Sequence, residues 1–250
     1  MIQDKSFVLP GDIISRTSEG LMRGFGVSLR DGCIVSNVRG YVSQIGQLIS
    51  VTPITSIYSP NIGDIVVGRI DQVQKQRWKV QIGCAVLADL RLSAIFLPDG
   101  ELRRRTTNDE RNMRQYFDVG DLICAEVQQV QNDIQLHTRE QHPKKLEDGL
   151  VIEVPSRLIK RVPNHICTLE FLGFKFGMIF GLNGSIWVSA SSEAAYDLIP
   201  RIRQCILLLA TYEKPICAES LCSIYQKVED MPVERIVSTE TAIQLGLINE

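Results

Sequence analysis

Short apolar runs broken by glycine open the chain. Ile13-Ile14, Gly26 to Leu29, Cys33 to Val35 and Tyr41 to Ile45 are set apart by Gly20, Gly24, Asp31-Gly32, Gly40 and Gly46. Runs of this length between turn residues read as strands. Arg30-Asp31-Gly32 is a hairpin signal, because Asp-Gly tolerates the positive φ angles a tight turn requires. A further strand, Leu48 to Val51, runs into Pro53. The pattern predicts a small β domain over residues 1–60. From Gly63 the strands lengthen. Asp64 to Val73 is apolar, and Arg77 to Ile82 alternates, with Trp78, Val80 and Ile82 on one face and Arg77, Lys79 and Gln81 on the other. Ala85 to Leu90, Asp121 to Val130 and Ile134 to Arg139, the last after an Asn132-Asp133 turn, complete five strands. Five strands within residues 61–140 predict a small closed barrel of the oligonucleotide-binding type. Residues 96–118 interrupt it as an insertion, with a short helix expected from Asn108 to Tyr116.

Beyond His142-Pro143 the period changes. Gly149 to Pro155, Phe174 to Phe180 and Ser185 to Ala190 read as strands. Pro200 and Pro215 then stand where first-turn prolines belong. Ile202, Cys205, Ile206 and Leu209 form one helical stripe, and Ala218, Leu221, Cys222 and Tyr225 another. Ser238 to Leu245 predicts a last helix, stopped by Gly246. Residues 141–250 therefore read as an α+β domain.

Composition narrows the function more than the fold. The 250 residues carry 27 Lys and Arg against 29 Asp and Glu, a formal net charge of −2. That balance excludes a histone-like or tail-driven binder of nucleic acid, which needs a large sequence-independent positive field. A local basic groove remains compatible with it. The longest apolar helical run, Cys205 to Ala210, is far short of the ~18 residues of a membrane span. The first residues lack the apolar stretch of a secretory signal, so a soluble protein without membrane contact is expected. Seven cysteines without a Cys-x-x-Cys pair predict small buried thiols in a reducing compartment. His137, His142 and His165 lack ligand spacing, so neither a metal nor any other cofactor is expected.

Candidate chemistry centres on the barrel. Such barrels bind single strands by pairing a positive groove with surface aromatics. Arg77 and Lys79 face outward and suit phosphates, whereas Trp78 points the other way, into the core. Arg103-Arg104-Arg105, with Arg111 and Arg114 on the following helix, is the densest basic cluster and reads as a phosphate contact or a docking surface for an acidic partner. Glu101, Asp109 and Glu110 partly cancel its field. Gly181-Leu182-Asn183-Gly184 matches the bare Gly-x-x-Gly loop that clamps nucleotides in KH domains. No cation stands between its glycines, so Gly181, Asn183 and Gly184 read as a structural turn. No nucleophile elbow, phosphate loop or zinc-protease motif is present in the sequence, and no catalytic residue is expected.

The order of these motifs is itself distinctive. Gly68-Arg69-Ile70, Arg77-Trp78-Lys79-Val80, Leu97-Pro-Asp-Gly-Glu-Leu-Arg-Arg-Arg105, Gly120 to Gln128, Leu136-His-Thr-Arg139, Leu158-Ile-Lys-Arg161 and Gly181-Leu-Asn-Gly-Ser-Ile-Trp187 together resemble one family. The chain is similar to the S1/KH cap subunits of the RNA exosome, the ribosomal-RNA-processing protein four family, from Pro10 to the C-terminal helices. The resemblance implies a multi-domain β and α+β protein: a small N-terminal β domain (1–60), a five-stranded S1 barrel (61–140) and a C-terminal KH domain (141–250). It implies a non-catalytic, RNA-binding subunit for rRNA processing and RNA degradation, seated on a ring of RNase PH-like subunits beside other S1/KH cap subunits. It would guide single-stranded RNA into the channel, in the nucleus, including the nucleolus, and in the cytoplasm. The N-terminal domain would dock on the ring. Arg91 stands where S1 barrels typically carry a histidine, which shifts RNA contact from stacking towards phosphate. The expected RNA-side residues are thus Arg77, Lys79, Arg91, Arg103, Arg104 and Arg105. A free-standing S1/KH regulator of translation or transcript stability is the alternative, and a self-sufficient ribonuclease a more distant one.

Overall fold

A computed structural model describes residues 6–17, 20–54, 57–96, 106–131, 133–139, 145–228 and 231–247. The chain divides into two compact units, Met1–Ser56 and Ile57–Glu250.

The first unit is all β. Its strands are β1 (Phe7–Val8), β2 (Ile13–Ser15), β3 (Met22–Arg23), β4 (Val27–Arg30), β5 (Cys33–Ser36), β6 (Gly40–Ile45) and β7 (Leu48–Pro53). They form a four-stranded sheet ordered β1-β6-β7-β3 and a three-stranded sheet ordered β2-β5-β4. Asp31 and Gly32 both take positive φ, at 49° and 77°, and bring Arg30 opposite Cys33, the hairpin expected from the Asp-Gly pair. At Gly40 a Cβ would collide with the Thr52 carbonyl, so glycine lets the start of β6 lie close against the end of β7. Val8, Ile34, Val35, Ile49 and Val51 are the buried side chains of this small core.

The second unit begins with a closed five-stranded barrel of the S1 type. Its strands are β8 (Ile65–Gln74), β9 (Arg77–Gln81), β10 (Ala88–Arg91), β11 (Leu122–Gln129) and β12 (Gln135–His137). The order is β12-β10-β9-β8-β11, and β11 pairs with β12 to close the ring. A short β13 (Lys145–Leu146) extends β11 on its outer side. Trp78, Val80, Ile82, Leu90, Ile123 and Leu136 fill the interior, each at most 1 % exposed, as the alternation in β9 demands. The Trp78 indole nitrogen donates to the Phe117 carbonyl at 2.9 Å, and its ring meets Phe117 edge-on at 5.5 Å. The insertion is therefore stitched to the barrel core at its C-terminal end. Its expected single helix is two short ones, α1 (Thr107–Arg111) and α2 (Met113–Tyr116), separated at Asn112, which leaves helical geometry. Thr106 starts α1 with a capping box: its hydroxyl accepts from the Asp109 N–H while the Asp109 carboxylate accepts from the Thr106 N–H at 2.8 Å.

The C-terminal region is KH-type α+β. A wholly antiparallel sheet ordered β14-β17-β16-β15 is built from β14 (Gly149–Glu153), β15 (Ile166–Phe171), β16 (Phe174–Phe180) and β17 (Ser185–Ala190). Helices α3 (Ile199–Thr211), α4 (Ala218–Lys227) and α5 (Thr239–Gln244) follow. The α3 stripe Ile202, Cys205, Ile206 and Leu209 is buried as its spacing requires, and so are Leu221 and Tyr225 of α4. Pro200 lies in the first turn of α3, but Pro215 precedes Cys217, the cap of α4, and lies outside that helix. Strand β15 is the element the hydrophobic pattern did not single out. It is the edge strand of its sheet, and its hairpin turn uses Leu172 at φ 53° before Gly173, a residue that announces no turn.

One contiguous cluster of buried side chains runs from the barrel (Trp78, Leu90, Ile123) into the α+β region (Phe176, Ile186, Ile202). A second, smaller cluster of Val67, Cys124, Leu146, Ile179 and Trp187 joins the outer barrel wall to the sheet. Barrel and α+β region therefore share their apolar interior. All seven cysteines are free thiols. Burial pushes the Cys124 and Cys205 thiols up to about 12, which keeps them protonated and unreactive at neutral pH.

Candidate nucleic-acid interface

The register of β9, β10 and β12 sets out the outer face of the barrel as a grid. Lys79 stands opposite Asp89, which stands opposite Gln135, and Arg77 stands opposite Arg91. Asp89 is almost wholly buried and draws on two of these cations. Its carboxylate lies 3.1 Å from the Arg77 guanidinium and 2.5 Å from the Lys79 ammonium. Arg77 is further fixed through its Nε, which donates to Gln74 at 3.0 Å. Along β11 the Glu126 carboxylate takes Arg139 in a two-point pair at 2.5 and 2.6 Å. These pairs hold three guanidinium or ammonium groups in place and cancel part of their charge. Arg91 is exposed, and among the described residues no carboxylate lies within 4.0 Å of it.

Of the residues expected on the RNA side, the fold brings Arg77, Lys79 and Arg91 onto one face. Arg103, Arg104 and Arg105 lie outside the described residues, as do Leu97 to Gly100, Asn132 and Lys144. Sequence reasoning missed Lys75. It sits at the two-residue tip between β8 and β9, where Gln74 pairs with Arg77 and Gln76 takes φ 62°. The tip is lined up against α1, because the Gln76 side-chain amide donates to the Glu110 carboxylate. The available signal was the interval Lys75-Gln76 between two alternating runs.

The turn Gly181 to Gly184 makes different contacts. It links β16 to β17, and its polar side chain is directed at the barrel. The Asn183 amide nitrogen donates to the carbonyls of Val67 at 2.8 Å and Ile82 at 3.2 Å, while its oxygen accepts from the Val67 N–H at 3.3 Å. The Leu182 N–H donates to the Ile65 carbonyl at 2.9 Å. Gly184 sits at φ 92°, and a Cβ there would strike the Val154 carbonyl. Gly181 has no room for a Cβ between Asn183 and the Ser185 carbonyl. Asn183 and Leu182 thus supply backbone partners to β8, and the turn pins the α+β region to the barrel.

A buried carboxylate reinforces that join. Asp64 is fully buried and accepts from the Tyr58 hydroxyl at 2.7 Å and the Asn61 N–H at 3.0 Å, and it pairs with Arg161 at 2.8 Å. Arg161, the last residue of the Leu158-Ile-Lys-Arg161 motif, is engaged in this pair. Burial and the bonded Asp64 push the Tyr58 phenol far above its ordinary value, so it serves only as a donor. His165 lies close by, held in its neutral form mainly by burial. Among the described residues no group of three His, Cys, Asp or Glu side chains could hold a metal ion.

A closed barrel with a cationic outer face, joined to a KH-type sheet, defines an S1/KH protein of the RNA-binding class. The family model described as the RRP4 S1 domain matches residues 57–129, and a KH-domain model matches residues 149–194. The exosome complex component RRP4 homologue of Caenorhabditis elegans is 34 % identical over 268 residues, covering 99 % of this chain and 88 % of the relative. The bovine exosome complex component RRP4 is 36 % identical, covering 94 % and 86 %. That of Saccharomyces cerevisiae is 40 % identical over 76 % of this chain and 52 % of its own length. A crystal structure described as an exosome complex RNA-binding protein superposes with a TM-score of 0.51 at 21 % identity, over 73 % of this chain and all of that one. The chain belongs to the exosome complex component RRP4 family.

Proposed function

We propose that this protein is a non-catalytic RNA-binding subunit of the RNA exosome, acting in RNA processing and degradation, rRNA included. The observation that carries the reading is the match of nearly the whole chain to exosome complex components, through both the barrel and the α+β region. In finer terms, the protein caps a ring of RNase PH-like subunits beside other S1/KH caps and guides single-stranded RNA into the channel, in the nucleus, nucleolus and cytoplasm. The division of labour falls near residues 60 and 140. The first unit suits docking: within about fifty residues it exposes Phe7, Leu9, Ile13, Met22, Phe25 and Ile45, the last at 74 %. So many exposed apolar side chains on one small unit favour a covered surface. Arg77, Lys79, Arg91 and Arg103 to Arg105 would face RNA. A near-neutral chain suits a subunit that shares its RNA with neighbours, since several weak contacts act together in one assembly.

The test is the native mass of the tagged protein purified from its own cells. A particle of several hundred kilodaltons containing RNase PH-like chains is expected. A 28.1 kDa monomer that binds RNA unaided would replace this reading with the free-standing regulator.

A further inference from the structure

The hairpin tip and the inserted helix enclose a cleft of which the reading above assigns only Arg77 and Arg91. Lys75, Gln76, Arg77, Arg91 and Ser93 line it from the barrel and Glu110 lines it from α1, with a volume of about 460 Å³. It continues into a second cleft of about 440 Å³ past Arg111 and Arg114, since Lys75, Gln76 and Glu110 border both. Together they could take one or two nucleotides of an extended strand. Three cations face the first cleft. Arg77 is oriented by Gln74 and Asp89, whereas Lys75 and Arg91 have no carboxylate within 4.0 Å among the described residues. Such a set suits phosphodiester oxygens.

Two features go beyond phosphate binding. Among the described residues no aromatic side chain lines either cleft, so bases have no stacking platform from them and the contacts are blind to sequence. A carboxylate stands among the cations. Glu110 would oppose a phosphate, yet it is held in the wall by the Gln76 amide on one oxygen, and among the described residues no protein donor reaches the other. An ionised carboxylate only accepts hydrogen bonds, and what an RNA backbone offers besides phosphate is a donor, the 2′-hydroxyl. The Thr106–Asp109 capping box fixes the helix that carries Glu110, so the acceptor is preset.

We propose that this cleft is a ribose-sensing backbone subsite: Lys75, Arg77 and Arg91 take phosphates, and Glu110 accepts the 2′-hydroxyl between them. The proposal rests on the RNA-binding reading and adds to it a discrimination of RNA from single-stranded DNA independent of base sequence.

The probes are a fluorescent 20-residue oligouridylate, blocked at its 3′ end, and the matching deoxyuridine oligomer, titrated against the complex purified through this subunit. In the unaltered complex RNA is expected to bind at least five-fold more tightly than DNA. Glu110→Gln, which removes the charge and halves the acceptor capacity, should bring that ratio down at least three-fold, partly by strengthening DNA binding. Lys75→Ala with Arg91→Ala should weaken both probes about ten-fold and lower the salt slope by about 1.4, the value for two phosphate contacts on a single strand. A ratio unmoved by Glu110→Gln would overturn the role of Glu110. Unmoved affinities in the double variant, with RNA still bound, would overturn the cleft and leave the RNA-binding reading standing. Absence of RNA binding by the unaltered complex would remove both. Thermal melts of each variant check that the fold is intact.

Discussion

Two tight turns of this molecule carry short polar sequences, and they do opposite things. Gly181-Leu182-Asn183-Gly184 directs its amide into the barrel and meets the backbone of Val67 and Ile82. Lys75-Gln76 presents its cation to solvent and uses its own amide to hold Glu110 on α1. By motif alone the first looks like the nucleic-acid loop and the second like filler. What separates them is the destination of the hydrogen-bonding groups. A turn whose side-chain amide is engaged inside the protein has no polar side chain left for a ligand, whereas one with an unpaired cation at a cleft does.

That contrast can be broken by substitution. Asn183→Ala should have the largest effect, because it removes three hydrogen bonds to the Val67 and Ile82 backbone where the α+β region meets the barrel. The expected loss is about 3 kcal/mol, a fall in Tm of roughly 6–12 °C for a unit of this size. RNA capture by the surviving folded protein should be unchanged, and a large loss of capture with normal Tm would reverse the assignment. Arg161→Met comes next. It deprives Asp64 of its cation but leaves it the Tyr58 and Asn61 donors, and Arg161 is itself 60 % exposed. A loss of about 2 kcal/mol by denaturant titration is expected, below the ~3–5 of a fully buried pair.

The barrel face should divide in the same way. Lys79→Met removes a partner of the buried Asp89 and should cost about 1 kcal/mol of stability, with a smaller loss of RNA affinity than at an unpaired cation, because Asp89 cancels part of its charge. Arg91→Ala should do the reverse, weakening RNA three- to five-fold and the salt slope by about 0.7, with stability within about 0.5 kcal/mol. Equal effects of the two substitutions on RNA would show that pairing with Asp89 does not weaken a cation's hold on phosphate.

The smallest expected effect is on pH dependence. Burial holds His165 below the 6.5 of a free histidine. The unfolded chain therefore takes up a proton before the folded one does, and stability should decline as pH falls from 6.5 through the lower folded value. His165→Gln should flatten that slope in melts between pH 7.5 and 5. The residue follows Arg161 by four positions and its carbonyl accepts from Phe180, just before the Gly181 turn, so acid should act on the join.

Much of this was legible in the chain. Trp78 in the core and Lys79 on the surface follow from strict alternation, and the α3 stripe from its spacing. The Asp31-Gly32 hairpin follows from the conformational freedom of those two residues. The partners of Asn183 were not legible, because Val67 and Ile82 lie more than a hundred positions away and a side-chain amide carries no address. Strand β15 was hidden by an unconventional turn residue, Leu172. The pairing of Arg77 and Lys79 with Asp89 depends on the register of β9 against β10, which periodicity leaves open. Lys75 escaped for a related reason: its neighbour across the cleft, Glu110, belongs to an insertion whose placement no local pattern dictates.

The positions of the two tryptophans make the chain its own optical reporter. Trp78 lies at the centre of the barrel, and Trp187 lies 8 % exposed against Val67 and Cys124, where the α+β sheet meets the barrel wall. Indole emission shifts to longer wavelength when the ring meets water. With one tryptophan replaced by phenylalanine, the remaining one reports either the barrel interior or the seam. Stopped-flow mixing into denaturant would then time the two events separately. A seam signal that leads the barrel signal would mark the α+β region as a part that lets go first, and simultaneous signals would make the unit a single cooperative block.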